Sequence, residues 1–190
     1  LNNLAISYGN QGLVDSALGY LKLAKVIHEK SGNNSALAKV LNNMGSQYLS
    51  KAEEDSGAVV SQLYMDTATQ YFLASLELKK QLGDRRGQVS GLSNLGAVSV
   101  QQGNLDKAIE YFSRALEIAN EIQALDMQLA INYNLYECYQ EKSDIENALR
   151  YYRGYSAMKD SIFSKDMREG IAEMQARFGV EQAEAETRAT

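Results

Sequence analysis

Asparagine recurs at one position of a repeated sequence pattern. Asn3, Asn43, Asn94 and Asn134 each stand immediately before a leucine or methionine in similar surroundings. A side-chain amide carries a hydrogen-bond donor and an acceptor, which match the N–H and C=O groups of an extended peptide backbone. A row of such amides could therefore hold a peptide whatever its side chains are. Because asparagine is a mediocre helix former, its repeated use inside predicted helices needs a reason.

The sequence leaves two roles open for these amides. They contact a bound peptide, or they bond to a neighbouring helix and so set the angle between repeats. The positions on the same helical face are polar, small and largely uncharged. The candidate peptide-binding residues on this face are Asn3, Lys39, Asn43, Ser46, Ser90, Asn94, Gln101, Asn134 and Glu137.

No catalytic or metal site is expected. His28 is the only histidine and Cys138 the only cysteine, and neither belongs to a cluster with the spacing of metal ligands. The sequence also lacks a phosphate-binding glycine loop, a nucleophile elbow and a paired-carboxylate motif. We therefore predict a non-catalytic protein without a cofactor, in which Cys138 packs as a small apolar residue.

Composition and charge narrow the class of partner. The chain has 190 residues, 45% of them apolar, and no proline, which favours a folded chain of long, unkinked helices. The net charge of -5 comes without a basic block, so nucleic acid and anionic membranes are not expected as partners. No apolar run is long enough to predict a membrane span. Leu1 opens within a helical pattern without an initiator methionine, so we expect a fragment of a longer protein.

Helical hairpins must position these residues. From Ser93 to Ala119, apolar or small residues repeat at three- and four-residue spacing, break at Gly103, and then resume. This pattern predicts two amphipathic helices joined by a tight turn. Copies of it share a marker residue in the first helix and an alanine in the second. The markers are Ala5, Gly45, Gly96 and Tyr136, at intervals of 40, 51 and 40 residues.

The second copy carries an insertion of eleven residues. Gly45 lies 23 residues before its alanine, Ala68, whereas the distance is 12 in the other copies. Eleven residues make three helical turns of about 3.67 residues, so the insertion does not rotate the apolar face. We predict a longer second helix from about Ser56 to Leu82. The alternative is a disordered excursion over Glu53 to Gln62.

Regular spacing of this kind predicts an all-α solenoid of four hairpins, each packed on its neighbours. The predicted hairpins cover about 1–32, 33–83, 84–124 and 125–163, and a capping or linker helix covers 164–190. The pattern resembles the tetratricopeptide repeat family: N-L-G/A-x-x-Y in the first helix, then G-x-x-x-x-A-x-x-Y-F/L-x-x-A. The long, proline-free form is similar to the roughly 40-residue subclass of kinesin light chains and bacterial quorum-sensing regulators.

The resemblance implies a right-handed superhelix with the first helices on its inside, where an extended peptide or partner protein binds. In that subclass the repeated asparagine contacts bound peptide. Family members that grip a terminal carboxylate use basic groove residues. Lys39 is the only lysine or arginine among the candidate residues, so an acidic chaperone tail is disfavoured as a partner.

The C-terminal segment has a short apolar seam at Met167, Ile171, Met174 and Phe178. It predicts a helix that caps the last repeat, or the start of a signalling helix that leads to a further domain. The segment from Lys159 onward resembles the one that follows the repeats in Bacteroidetes sensor proteins. That resemblance implies the sensory or interaction segment of a bacterial signalling protein, periplasmic if it holds and otherwise cytoplasmic. The alternative is a structural adaptor without a peptide ligand, whose convex or terminal surfaces mediate self-association, for example as a homodimer through this helix.

Overall fold

The structure is a computed structural model that describes residues 1–54, 57–161 and 164. These residues form helices and contain no strand. The helices are α1 (Asn2–Asn10), α2 (Val14–Ser31), α3 (Asn34–Glu54), α4 (Ala58–Gln81), α5 (Arg85–Gln101), α6 (Leu105–Glu121), α7 (Leu125–Glu141) and α8 (145–161). Consecutive helices pair into hairpin 1 (α1/α2), hairpin 2 (α3/α4), hairpin 3 (α5/α6) and hairpin 4 (α7/α8). The prediction of an all-α repeat solenoid is confirmed. The predicted helix over 164–190 lies outside the described residues, apart from residue 164.

The ends of the helices follow the repeat. Gly32 ends α2 in the left-handed conformation with a φ of 66°, which glycine adopts without steric cost. The Asp84 side chain accepts a hydrogen bond from the backbone N–H of Gly87 at 2.8 Å and so caps α5. Ala124 is the N-cap of α7, and Asp126 lies in its first turn, where a carboxylate favours the helix dipole.

Both helices of hairpin 2 are lengthened. α3 has 21 residues and α4 has 24, whereas α5 and α6 have 17 each. Four of the eleven extra residues therefore extend α3 and seven extend α4. The predicted longer second helix, from about Ser56 to Leu82, is confirmed as α4 (Ala58–Gln81), and the lengthening of α3 was not predicted. The two helices extend together because each supplies the other with a packing surface. Ala52 and Met65 are both buried there, and the Ser61 hydroxyl donates to the Ala52 carbonyl at 2.8 Å. Of the stretch considered for disorder, residues 53–54 and 58–62 are helical.

Each hairpin closes through the marker residue. A Cβ atom placed on Gly96 would lie 2.6 Å from the Phe112 ring, and one on Gly45 would lie 2.6 Å from the Phe72 ring. The aromatic side chain of the second helix thus packs directly on the backbone of the first, which requires a glycine there. The corresponding pairs are Ala5 with Leu21 in hairpin 1 and Tyr136 with Tyr152 in hairpin 4. The hairpin 4 pair places two rings where hairpins 2 and 3 place one and hairpin 1 places none.

The hairpins stack so that their first helices line one wall. Among α1 to α7, contacts between non-consecutive helices join only α1 with α3, α3 with α5, and α5 with α7. The second helices α2, α4 and α6 do not contact one another. In a curved stack the elements on the inner side are closest together, so the first helices form the concave wall. The candidate peptide-binding residues all lie on these first helices.

Candidate peptide-binding groove

Two of the repeated asparagines tie neighbouring hairpins together. The Asn43 amide donates to the Asn2 side-chain oxygen at 3.0 Å, and the Asn94 amide donates to the Asn42 side-chain oxygen at 3.2 Å. Each bond joins the repeated asparagine to the residue just before the repeated asparagine of the preceding hairpin. These two amides are half-buried, and they have the inter-repeat role that the sequence left open as one alternative.

The other two repeated asparagines make no side-chain hydrogen bond to any residue that the structure describes. Asn3 is exposed and Asn134 is half-buried. Ser93 occupies the place that Asn2 and Asn42 hold in the earlier hairpins. Its shorter side chain does not pair with Asn134, so the amide of Asn134 is left with its hydrogen-bonding capacity unused. This half-buried, unpaired amide on the concave wall is the strongest candidate for a ligand contact.

The remaining candidate residues differ in how far they are engaged. The Ser46 and Ser90 hydroxyls each donate to a carbonyl of their own helix at 3.3 Å. Gln101 donates to the Glu53 carboxylate at 2.6 Å, which links α5 to the extended end of α3. Lys39 is exposed without an ion pair in the described part of the chain. Glu137 accepts a hydrogen bond from Tyr133, and this bond raises the pKa of the Tyr133 hydroxyl.

A cavity of about 180 Å³ opens between α1 and α3. Apolar and polar side chains from hairpins 1 and 2 line this cavity. They are Ala5, Ile6, Asn10, Leu21, Asn43, Ser46 and Gln47. Asn43 and Ser46 are candidate residues from the sequence, so the structure brings these two to one cavity. The smaller Ala5 and Leu21 pair replaces the glycine and phenylalanine of hairpins 2 and 3, which accounts for the free space.

Gln47 is a part of this wall that the sequence did not single out. Its side-chain oxygen is buried without a hydrogen-bond partner, an uncommon state for a buried polar atom. The amide packs against α1 so closely that a Cβ on Gly9 would lie 2.7 Å from the Gln47 nitrogen. The sequence feature that could have revealed this contact is Gly9, one residue after Tyr8. A glycine there leaves room for a large polar side chain from the next hairpin.

Lys79 is a second residue that sequence patterning missed. It belongs to α4, yet its ammonium donates to the Asn42 side-chain oxygen at 3.1 Å, beside the amide of Asn94. The side chain is 5% exposed. Burial lowers the pKa of this amine, and the charge of Asp84 opposes the effect. Polar patterning of first helices has no means of finding a lysine that reaches the wall from a second helix.

Two features are absent from the helices that the structure describes. These helices contain no cluster of three or more histidine, cysteine or acidic side chains placed to hold a metal ion. None of them combines the length and the apolar character that crossing a membrane requires.

Residues 65–121 and 87–159 match the model of the tetratricopeptide repeat. The chain belongs to the tetratricopeptide repeat family. Scaffolds of this family generally mediate protein–protein interaction, and they are generally non-catalytic. No curated protein sequence matches the chain significantly.

A solved structure shares the fold. The crystal structure of BtubC (BKLC) from P. vanneervenii superposes with a TM-score of 0.71 at 20% sequence identity, which covers 85% of this tetratricopeptide repeat chain. This chain spans 62% of the length of that one. A Podosopora anserina putative kinesin light chain with nearly identical TPR-like repeats gives a TM-score of 0.42 at 12% identity, and covers 86% of this chain and 94% of its own. At 20% identity, the likeness to BtubC concerns the fold alone.

Proposed function

We propose that the chain binds an extended peptide segment of a partner protein along the concave wall formed by α1, α3, α5 and α7. The observation that carries this proposal is the Asn134 amide, which lies half-buried on that wall without a hydrogen bond. Its donor and acceptor match those of a peptide backbone. Asn3 offers the same groups at the other end of the wall. The bonded pairs Asn2–Asn43 and Asn42–Asn94 hold the helices between them at a fixed spacing.

The cavity between α1 and α3 favours a peptide over a small molecule. Pockets for small molecules typically have volumes of about 300 to 1,000 Å³, whereas this cavity has about 180 Å³. Ala5 and Leu21 give it an apolar part, while Asn10 and Ser46 give it a polar edge. One side chain of an extended peptide fits such a space while its backbone continues along the wall.

The wall carries few charges, which bears on the kind of peptide. Lys39 and Glu137 are the charged candidate residues, and they lie on different hairpins. A peptide recognised here therefore gains most of its affinity from backbone hydrogen bonds and from one or more seated side chains. We further propose that the chain is the sensory or interaction segment of a bacterial signalling protein, periplasmic if that assignment holds and cytoplasmic otherwise.

A displayed library of random linear peptides, screened against the full 190-residue chain, tests the proposal. For the best peptide, Asn134→Ala is expected to weaken binding roughly fivefold to tenfold, as the loss of one hydrogen bond implies. The variant should unfold at the same denaturant concentration as the parent, because the Asn134 side chain makes no hydrogen bond to any residue that the structure describes. Ser46→Phe, which fills the cavity, should weaken binding further. The affinity is read by fluorescence anisotropy of the labelled peptide.

Asn94→Ala and Asn120→Ala are the matched controls. Asn94→Ala breaks an inter-repeat bond and should lower the free energy of unfolding by about 1 kcal/mol. Asn120 is exposed on the second helix α6. Asn120→Ala should therefore change neither the peptide affinity nor the free energy of unfolding. If Asn134→Ala leaves the peptide affinity unchanged, the amides are structural and the groove assignment is wrong. If the screen returns no peptide and the chain sediments as a stable dimer, the chain is a structural adaptor.

A further inference from the structure

Lys79 completes a small polar network at the junction of hairpins 2 and 3. Its stem lies against α5 at Gly87, where an added Cβ would lie 3.0 Å from the Lys79 Cδ atom. Its ammonium donates to the Asn42 side-chain oxygen at 3.1 Å, and the Asn94 amide donates to the same oxygen at 3.2 Å. The Asn42 oxygen therefore receives two donors, one from a second helix and one from the concave wall.

The ammonium decides which way the two amides face. The oxygen and the nitrogen of an amide occupy nearly the same space, so its neighbours determine its orientation. An ammonium has donors and no acceptor, so Asn42 must present its oxygen to Lys79. Asn94 meets that same oxygen and must present its nitrogen. Reversal of Asn42 would set donor against donor at Lys79, and reversal of Asn94 alone would set oxygen against oxygen.

The side-chain oxygen of Asn94 is left over by this arrangement. It accepts no hydrogen bond from any residue that the structure describes, and Asn94 is half-buried. Among the described residues, the Gln47 oxygen is the one enclosed side-chain polar atom without a partner, so the Asn94 oxygen is open to solvent. Because Asn94 lies on the concave wall, a peptide in the groove meets an acceptor there. The backbone group that satisfies an acceptor is the N–H.

Hairpin 1 repeats the arrangement. Lys79 stands eleven residues after the repeated alanine of its hairpin, and His28 stands at the same distance in hairpin 1. His28 and Asn2 line one cavity, and the Asn2 oxygen accepts from the Asn43 amide at 3.0 Å. A nitrogen-bearing side chain of the second helix thus again accompanies the amide that receives the bond between hairpins.

Hairpin 3 lacks both parts of the arrangement. The corresponding residue of its second helix is Ala119, which is buried and has no side-chain donor. On the wall, Ser93 stands in place of an asparagine, and Asn134 makes no side-chain hydrogen bond to a described residue. The nitrogen-bearing side chain and the paired amides therefore occur together in hairpins 1 and 2 and are absent together from hairpin 3, as expected if the one orients the others.

We propose that Lys79 is a positioning residue of the groove, which holds Asn94 with its oxygen available to the ligand. What this means for the ligand rests on the proposed function. The peptide residue that meets Asn94 must offer its backbone N–H, so proline, which has none, is rejected at that place. Asn134 lacks this constraint and turns its amide to meet either an N–H or a C=O group.

NMR of the full 190-residue chain with isotope-labelled asparagine tests the orientation without a ligand. The Asn94 signal is assigned by its loss in Asn94→Ala. The bonded proton of its NH2 group should exchange with water about fivefold more slowly than those of Asn134, as one hydrogen bond implies. In Lys79→Met the two amides still bond but do so in either direction. With both directions equally populated, exchange at Asn94 should become about threefold faster than in the parent.

Two comparisons separate orientation from packing. The Asn43 amide bonds at the other junction, so its exchange should not change in Lys79→Met. Lys79→Arg keeps a head group that only donates and should retain the slow exchange at Asn94. Urea unfolding confirms that each variant is folded. Unchanged exchange at Asn94 in Lys79→Met, or equal acceleration in Lys79→Met and Lys79→Arg, would overturn the proposal.

An ester scan of the best library peptide tests the consequence for the ligand. Each backbone N–H is replaced in turn by an ester oxygen. At one position the parent should lose affinity by about fivefold or more. The loss should be smaller with Lys79→Met, in which Asn94 also offers its nitrogen, and should vanish with Asn94→Ala. The same scan profile on all three chains would refute the selection of an N–H at Asn94. A library without any binder would refute the proposed function and the ligand selection with it, whereas the exchange rates decide the role of Lys79 by themselves.

Discussion

Replacement of Gly96 by alanine should destabilise the fold, although the same exchange on an open helix stabilises it. Gly96 lies inside α5, and alanine in place of glycine gains about 1 kcal/mol of helix propensity. The added Cβ, however, would lie 2.6, 2.7 and 2.8 Å from three carbon atoms of the Phe112 ring. That ring is 2% exposed and belongs to the main core, so it cannot move away without displacing other side chains.

Overpacking of a dense core costs about 1 to 3 kcal/mol, and three contacts below 3.0 Å with a buried ring place this site in the upper part of that range, above the gain in propensity. We therefore expect Gly96→Ala to lower the free energy of unfolding by about 1–2 kcal/mol, or by several degrees in Tm for a chain of this size. Gly19 is the matched control. It lies in α2 with no atom near the position of a Cβ, so Gly19→Ala should raise stability by about 0.5–1 kcal/mol. Urea unfolding followed by circular dichroism measures both variants.

Phe112→Leu supplies the second half of a double-mutant cycle. Hairpin 1 already pairs Ala5 with Leu21, both buried, so the Gly96→Ala, Phe112→Leu variant copies a pair that the chain uses elsewhere. The double variant should be more stable than the sum of the single effects predicts, with a coupling of about 1–2 kcal/mol. The reasoning fails if Gly96→Ala is as stabilising as Gly19→Ala, or if the two substitutions are additive.

Two further predictions concern buried titratable groups. Lys79→Met should leave stability at pH 7 unchanged or raise it, because a buried ammonium with one amide acceptor is replaced by an apolar chain while Asn42 still receives the Asn94 hydrogen bond. Burial lowers the folded-state pKa of Lys79 below its ordinary value of 10.5. The stability of the parent should therefore rise relative to that of the variant as the pH rises from the lowered pKa toward 10.5. A constant difference between the two free energies of unfolding at every pH would contradict this. The Cys138 thiol, with its pKa raised to about 11 by burial, should react with a thiol reagent at neutral pH only as fast as the chain opens, and an immediate reaction in the native state would show that α7 is not packed on hairpin 3.

The hairpins could be predicted from the sequence because their signals are local and repeated. The three- and four-residue spacing around Gly96 and the alanine at Ala108 recur, and each copy confirms the register of the others. The division of the eleven inserted residues between the two helices of hairpin 2 was harder to predict. Eleven residues preserve the helical face wherever they are divided between two helices, so spacing alone could not show that α3 takes four of them. The division is visible in the structure, where Ala52 and Met65 are both buried in the main core beside the extended helix ends.

The positions of the candidate groove residues could be predicted from the sequence, but their hydrogen bonds could not. The recurrence of asparagine is visible in the sequence, and whether each amide is free depends on the residue that faces it across two helices. Asn42 faces Asn94 and bonds to it, whereas Ser93 faces Asn134 and does not. The reach of Lys79 from a second helix into the same wall adds a long-range contact that no local pattern encodes. Binding by these residues stays a prediction.

Departures from the repeat, rather than the repeat itself, mark where this solenoid can interact. Where consecutive copies agree, as at Asn42 and Asn94, side chains satisfy each other and hold the stack together. Where a copy deviates from the repeat, a side-chain group is left without a partner or a space is left unfilled. Ser93 frees the amide of Asn134, the Ala5 and Leu21 pair leaves a cavity beside Asn43, and the tyrosine pair of hairpin 4, Tyr136 and Tyr152, lines a further cavity. A repeat with perfect copies would be stable and would have little left with which to bind, so substitutions that restore the consensus should stabilise the chain and weaken its interactions.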